Sequence, residues 1–538
     1  MDLKARIEKH LNDYMALRTP TNTPLENKAQ DYFVDWFSSM EYFSKRPSNY
    51  GLYDIEGDKL ERKVPWALIK GRGPKTLVLI HHSDMFDLEE LSDKAWDSNK
   101  MEELLRARIS SLSDEAREDL ESGDWLFGRA LADMRAGAAI QMALFEDYSR
   151  EELEGNILFL ALPDEANLSA GMGAALLLME ELAQREDLDY FLMLNSQPHE
   201  RKHEYRPLIH DGSVGKIMPL IYVKGSLSHA SEVFTGFNPL VLLSEIVRRT
   251  QGEEYFMERV GKTTTPPASW LYLRDRKTSY DVSLAPAGVG YMNILTLNRT
   301  PSQVFKVLER IIGEAIKSVE EDIEASLKKY EEISGEKLTH LAWQVKQLTY
   351  GELYSQALRD SGESFLLAYR QLLDELGADI SRPESATKVV EKTLAYVNEE
   401  GPIVVLGLAP PYYPNVNNRF LGDFAAEVDE LVYELQVYSR RELKQKLDLE
   451  NYYMGISDLS YALFLEDSEN IRFMDYNMLL WRDGYYMPLD KSKKLSMAVL
   501  NLGPWGKDVY KRTERVYKKD LYETTPALMD WIIRKVVG

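Results

Sequence analysis

Between residues 66 and 197 strand-like and helix-like periods take turns. The segments WALIKGRGPKTLVLI, GNILFLALP and DYFLMLNSQ carry short, nearly continuous apolar runs, and the stretches AAIQMALFEDYSREEL and GAALLLMEELAQRE between them have helical spacing. Strands apolar on both faces need helices on both faces, so this alternation predicts βαβ units around a mostly parallel sheet. Polar groups gather where the strands end, in HHSD, PDEA and NSQ. Open α/β sheets form their binding crevices at the carboxyl ends of strands, so Asp164 and Glu165 read either as chemical groups or as a solvated turn.

After residue 212 the pattern changes. A strand KIMPLIYVKG, a helix NPLVLLSEIVRRT, alternating strands through DVSLAPAGVGYMNILTLNRT and a long helix from Ser302 predict a small α+β module over 213–325. It is expected as an insertion in an α/β domain, whose first part is 1–212 and whose second part, with extra helices, is 326–538. GPIVVLGLAPPYYP and KLSMAVLNLGPWG are expected to supply two more buried strands after it. A chain of 538 residues exceeds what one hydrophobic core accommodates, which agrees with this division.

Composition excludes several functions. The chain has no cysteine, so disulfides, thiolate metal sites and a cysteine nucleophile are ruled out, and any metal must use nitrogen and oxygen donors. A net charge of -22 repels phosphate backbones and anionic lipid surfaces, so neither nucleic acid nor membrane is an expected partner. No apolar run reaches the ~20 residues of a membrane span and the charged N-terminus does not resemble a signal peptide, so a cytoplasmic location is expected. There is no Walker loop and no GxSxG elbow, and GMGAAL lacks the third glycine of a dinucleotide loop.

HHSD, GRALADMRAG, PDEANLSAGM, KGSLSHAS, GISDLS and LNLGPWGKDVYKRTERVY, taken in order, resemble the co-catalytic zinc peptidase family of carboxypeptidase G, the aminoacylases and succinyl-diaminopimelate desuccinylase. Segments such as SVGKIMPLIYVKG, GFNPLVLLSEI and GPWGKDVYKRTERVY are most similar to its arginine-utilization, RocB-like branch. The resemblance implies a zinc-peptidase-like α/β domain interrupted by a lid that often makes a dimer contact. It implies that His82 is a metal ligand, Asp84 the carboxylate orienting it, Asp133 the bridging carboxylate and Glu165 the general base. His229 falls on the lid histidine that stabilises charge on the scissile carbonyl, and Arg299 where relatives hold a substrate carboxylate. Each has a structural alternative: a buried polar network for His82, Asp84 and Asp133, a strand-end carboxylate for Glu165, an interface histidine, a surface ion pair for Arg299. Asp458 in GISDLS is read as shaping a loop.

The family pattern breaks at three ligand positions, which hold Ala166, Gln197 and Tyr510. A methyl group cannot coordinate, a neutral amide is a poor zinc donor, and no histidine lies within the last 198 residues to replace Tyr510. His199 and His203 could substitute only if their loop folds back onto the site. Two functions follow. One is a metal-dependent hydrolase of amide bonds in amino-acid derivatives or peptides, with at most one weakly held Zn or Mn ion on His82, Asp133 and Gln197. The other is a non-catalytic member that binds a small amino-acid-like ligand or a protein partner, with a homodimer formed through the lid as a further expectation.

Overall fold

The computed structural model describes residues 2–86, 98–201, 203, 205–338, 344–377, 383–422 and 424–538. In chain order the strands that matter are β1 (Tyr50–Asp54), β2 (Lys63–Ile69), β3 (Lys75–His82), β4 (Asn156–Leu162), β5 (Asp189–Asn195) and β6 (Leu208–His210), followed by β7 (Pro219–Lys224), β8 (Ser269–Asp275), β9 (Ala287–Thr296), β10 (Lys346–Thr349), β11 (Ile403–Leu408), β12 (Asp448–Glu450) and β13 (Ala498–Asn501). Eight of these form one sheet in the order β1-β2-β4-β3-β5-β13-β6-β12. Its centre, β4, β3, β5 and β13, is parallel, and antiparallel β2 and β1 extend one edge.

Alternation along the strands explains why the centre is apolar throughout. Leu77 and Leu79 of β3 face helices Leu3–Met15, Asn27–Ser39, Ala136–Tyr148 and Thr525–Val537, whereas Val78 and Ile80 face helix Ala170–Glu186. Helix Ala136–Tyr148 approaches the sheet end so closely that a Cβ on Gly137 would stand 2.1 Å from the Ser196 carbonyl oxygen. That glycine lets the loop carrying Asp133 reach the ends of β3 and β5.

A second sheet has the order β8-β9-β7-β11-β10, and Gly215–Ile217 pairs with the far end of β9. Helices Pro239–Thr250 and Pro301–Ser334 cover one face, against Ile221, Met292 and Val404. Helices Tyr350–Leu376 and Pro383–Leu394 cover the other, against Leu220, Val289 and Val405. This sheet therefore draws two strands from beyond residue 325, where the α+β module was expected to end. The run IVVLGL is apolar on both faces and pairs antiparallel with β7, while KQLT of β10 is too short and polar to show as a strand in the sequence.

Candidate functional site

The ends of β3, β4 and β5 converge on one cluster. β3 ends at His82, and two residues on the Asp84 carboxylate accepts from the backbone N–H of Glu165 (3.2 Å) and of Ala166 (3.0 Å), which ties the β3 end to the turn after β4. In that turn Asp164 has a positive φ of 68°, a conformation Asp tolerates better than most residues. Its carboxylate accepts from Asn167 Nδ2 (2.8 Å) and from the N–H of Ala170 (3.2 Å), the first residue of a helix, and it pairs with Arg62. Arg62 also holds Glu26 (3.0 Å) and Asp58 (2.8 Å). Asp164 is thus a structural member of a buried ion cluster, and only Glu165 of the pair faces the site.

His82 lies between two acids. Its Nδ1 is 3.1 Å from the Asp84 carbonyl oxygen and 3.4 Å from Asp84 Oδ1, and its Nε2 is 3.3 Å from Asp133 Oδ1. The other oxygen of Asp133 accepts from the Tyr510 hydroxyl at 2.6 Å. The loop carrying Asp133 is held by Glu514, whose carboxyl group accepts from the N–H groups of Ala130 (3.2 Å), Ala132 (2.8 Å) and Asp133 (3.4 Å). Gln197 directs its NH₂ at Glu165 Oε1 (3.4 Å), and its amide oxygen accepts from Asn195 Nδ2 (2.9 Å). Glu165, Gln197, His82 and Asp458 line a tight crevice that leaves no room for a water-sized probe.

Electrostatics follows from packing these charges in a dry place. The negative charges of Glu165 and Asp133 outweigh desolvation at His82 and hold its pKa well above the usual value. Burial would raise Asp84 and Asp133, but the facing imidazolium lowers both. Burial pushes Glu165 well up, helped by the charge of Asp458, and pushes Asp458 itself to about 7. Neither oxygen of Asp458 has a hydrogen-bond partner among the described residues. Lys216, in the Gly215–Ile217 strand, lies over the Tyr413 ring at 5.8 Å, and burial lowers it to about 8. Tyr413 in turn donates to the Glu165 carbonyl oxygen at 3.0 Å and shares a bond with Ser169 Oγ at 2.8 Å.

The structure brings His82, Asp84, Asp133, Glu165 and Gln197 together, with Ala166 and Tyr510 beside them. His229 is exposed and its imidazole bonds Ser231 at 2.7 Å, and among the described residues no hydrogen bond joins it to the cluster. Arg299 stacks on Tyr255 at 4.0 Å and donates to the Tyr255 carbonyl oxygen, which commits it inside the second sheet's own packing. His199 is buried beside Trp505, His203 is exposed, and neither bonds the cluster among the described residues. Asp458 is more than a loop former, since it faces the crevice. Lys216 and Glu514 lie in segments that carry the resemblance but had no role read into them, and Tyr413 lies outside those segments. Only the polar residues in otherwise apolar or turn-rich surroundings, the lysine in SVGKIMPL and the paired tyrosines in APPYYP, could have flagged them.

The donors present do not fit a pair of zinc ions. A dinuclear site would need the positions of Ala166 and Tyr510 to coordinate, yet one is a methyl group and the other donates its hydroxyl hydrogen to Asp133. Among the described residues no group of three or more His, Asp or Glu side chains is arranged to hold an ion.

The family model for peptidase family M20/M25/M40 matches residues 112–533. The chain is 30% identical over 511 residues to the uncharacterized protein YqjN of Bacillus subtilis, covering 93% of this chain and 90% of that one. It is 26% identical to protein RocB of the same organism, covering 98% and 94% of the two chains. The M20 family metallo-carboxypeptidase Sso-CP2 from Sulfolobus solfataricus superposes with a TM-score of 0.54 at 10% identity, covering 99% of each chain. By the match to its family model over most of its length, the chain belongs to peptidase family M20/M25/M40.

Proposed function

We propose that this chain uses the peptidase fold to bind a small amino-acid-like ligand or short peptide, and does not hydrolyse it through a metal pair. The observation that carries the reading is the Tyr510 hydroxyl on Asp133 Oδ2 at 2.6 Å, a donor placed where the family has a ligand. The alternative is a hydrolase with one weakly held Zn or Mn ion on His82, Asp133 and Gln197, with Glu165 as base. It has less support, because the Gln197 oxygen is engaged by Asn195 and Asp133 is bonded at both oxygens. Arginine and its acyl derivatives come first among ligands to try, following the RocB-like resemblance, and the cytosol is the proposed location. The edge strand β8, with Leu271 and Leu273 exposed, supports pairing of two copies through the second sheet.

The test is metal content by mass spectrometry after dialysis against excess zinc or manganese, run beside a hydrolysis screen on acylated amino acids and dipeptides. No stoichiometric ion and no turnover are expected. One ion per chain, with turnover lost in Glu165→Gln, would overturn the reading in favour of the mononuclear hydrolase.

A further inference from the structure

An open groove of about 800 Å³ lies against the turn after β4: Asp164 lines it, whereas the next residue, Glu165, faces the His82 crevice. That volume suits a small molecule. Two distant parts of the chain build it, the hairpin between β1 and β2 with the first turns of helix Ala170–Glu186, and the end of helix Tyr350–Leu376 with segment 482–488. Leu168, Leu177, Leu373 and Pro488 give it apolar surface, with Tyr53 and Tyr486 beside them. Its charges do not balance. Arg62, almost fully buried, serves three acids, Glu26 (3.0 Å), Asp58 (2.8 Å) and the fully buried Asp164. Arg482 is taken by Asp475 at 3.1 Å, and Asp54 by Lys63 at 2.7 Å. Glu56, Asp374 and Asp483 then face Lys59, and none of the four forms an ion pair among the described residues. The charge of Arg370 reaches Asp483, but burial outweighs it and raises the carboxyl above its usual range. The last turn of helix Tyr350–Leu376 carries Asp374 and no base, so the negative end of its dipole lines the groove without compensation.

We propose that this groove binds a small organic cation with an aliphatic stem, an alkylammonium or alkylguanidinium. The site is separate from the His82 crevice, and no outcome of the metal or hydrolysis tests bears on it. The cationic head meets Asp374, Asp483 and the helix end, and the stem lies on Leu168, Leu177 and the tyrosine rings, which suit a methylene chain and attract its charged end. Three acids on one guanidinium leave Arg62 no capacity to neutralise the rest of the groove, so the missing positive charge has to come from outside the chain. Specificity follows: a neutral head gains nothing from the acids, and an anionic one is repelled.

The experiment uses the full chain and isothermal titration calorimetry with cadaverine, agmatine and spermidine, beside pentanol and pentanoate as neutral and anionic controls. At least one cation is expected to bind with a Kd below about 1 mM, more weakly as salt rises, and neither control is expected to bind. Asp374 and Asp483 are exposed, so the double variant Asp374→Asn with Asp483→Asn is expected to fold, which circular dichroism checks, and to weaken the cation by roughly 10-fold or more. Leu177→Lys, at a partly exposed position, puts the chain's own ammonium into the groove and should abolish binding. Asp429→Asn with Glu430→Gln, two exposed acids outside the groove, should leave binding unchanged. No cation bound, pentanol bound as well as the amines, or equal losses in the two acid-removing double variants would each overturn the site, the last by reducing it to general attraction toward a chain of charge -22.

Discussion

Tyr510→Phe removes one hydroxyl and nothing else of size, so it isolates the bond on which the functional reading depends. The hydroxyl meets Asp133 Oδ2 at 2.6 Å, and that oxygen has no other donor among the described residues. A hydrogen bond to an ionised group contributes about 1.5–3 kcal/mol net. The ring of Tyr510 is 44% exposed, however, so water can take up part of what the hydroxyl leaves, and about 1–2 kcal/mol is the expected coupling. Neither single substitution measures it cleanly, because Asp133→Asn also weakens the pairing with His82 at 3.3 Å. The double-mutant cycle of Tyr510→Phe with Asp133→Asn cancels that shared loss and leaves the pairwise energy. Urea unfolding in the presence of a chelator, followed by tryptophan fluorescence, supplies the four stabilities. A coupling below about 0.5 kcal/mol would refute the reasoning. Asp133 would then have an oxygen free for another partner, and the argument against a metal would lose its strongest geometric support.

Arg62→Met leaves Glu26, Asp58 and Asp164 without their shared cation in a place where Glu26 and Asp164 are almost fully buried; a loss of about 3–5 kcal/mol is expected in urea midpoint measurements, and a loss under 1 kcal/mol would mean the cluster reorganises around water. Stability should also fall with rising pH. Burial raises Asp458 to about 7 and Glu26 and Glu514 to about 8, so the folded chain keeps protons that the unfolded chain releases near pH 4. Their contribution is complete below that value and is lost as pH rises to 7–8, at up to about 1.4 kcal/mol per pH unit per group. His82, also raised, has the same sign: its contribution is present below ~6.5 and lost as pH rises through its folded value. Asp84 and Asp133 are lowered and act oppositely, contributing above ~3.9 and losing that contribution on acidification. The melting temperature should therefore peak near pH ~5 and decline toward pH ~8, with a shallower decline in Asp458→Asn; a flat or rising profile would contradict the burial argument.

The strands and helices around β3, β4 and β5 were legible because each strand is apolar on both faces and each helix has its own period, so local pattern and global packing agree. β10 and the allegiance of β11 were not, because a strand's partner depends on contacts far away in the chain: β11 reads as a buried strand in isolation, and only its pairing with β7 assigns it to the second sheet. The site divides the same way. His82, Asp84, Asp133 and Glu165 stand at strand ends or before a helix, where position and residue type both carry information. Lys216, Tyr413 and Asp458 come from three other segments, and nothing local marks their meeting.

What the sequence could not decide was whether the three departures from the family's ligand pattern leave a ruin or a rebuilt site. In a ruin the remaining acids would lie buried without partners, each at a cost of several kcal/mol. Instead each replaced position offers a donor to an acid that remains. Tyr510 bonds Asp133, Gln197 faces Glu165, and the Ala166 N–H bonds Asp84. The imidazolium of His82 then faces a carboxylate on either side of it. One buried acid stays outside this settlement, Asp458, neither of whose oxygens has a hydrogen-bond partner among the described residues and which burial raises to about 7. A site rebuilt for stability alone would have replaced it or given it a donor. Its persistence is the physical reason to test Asp458→Asn for lost ligand binding, since an acid without a donor inside the protein is the group left to meet one from a ligand.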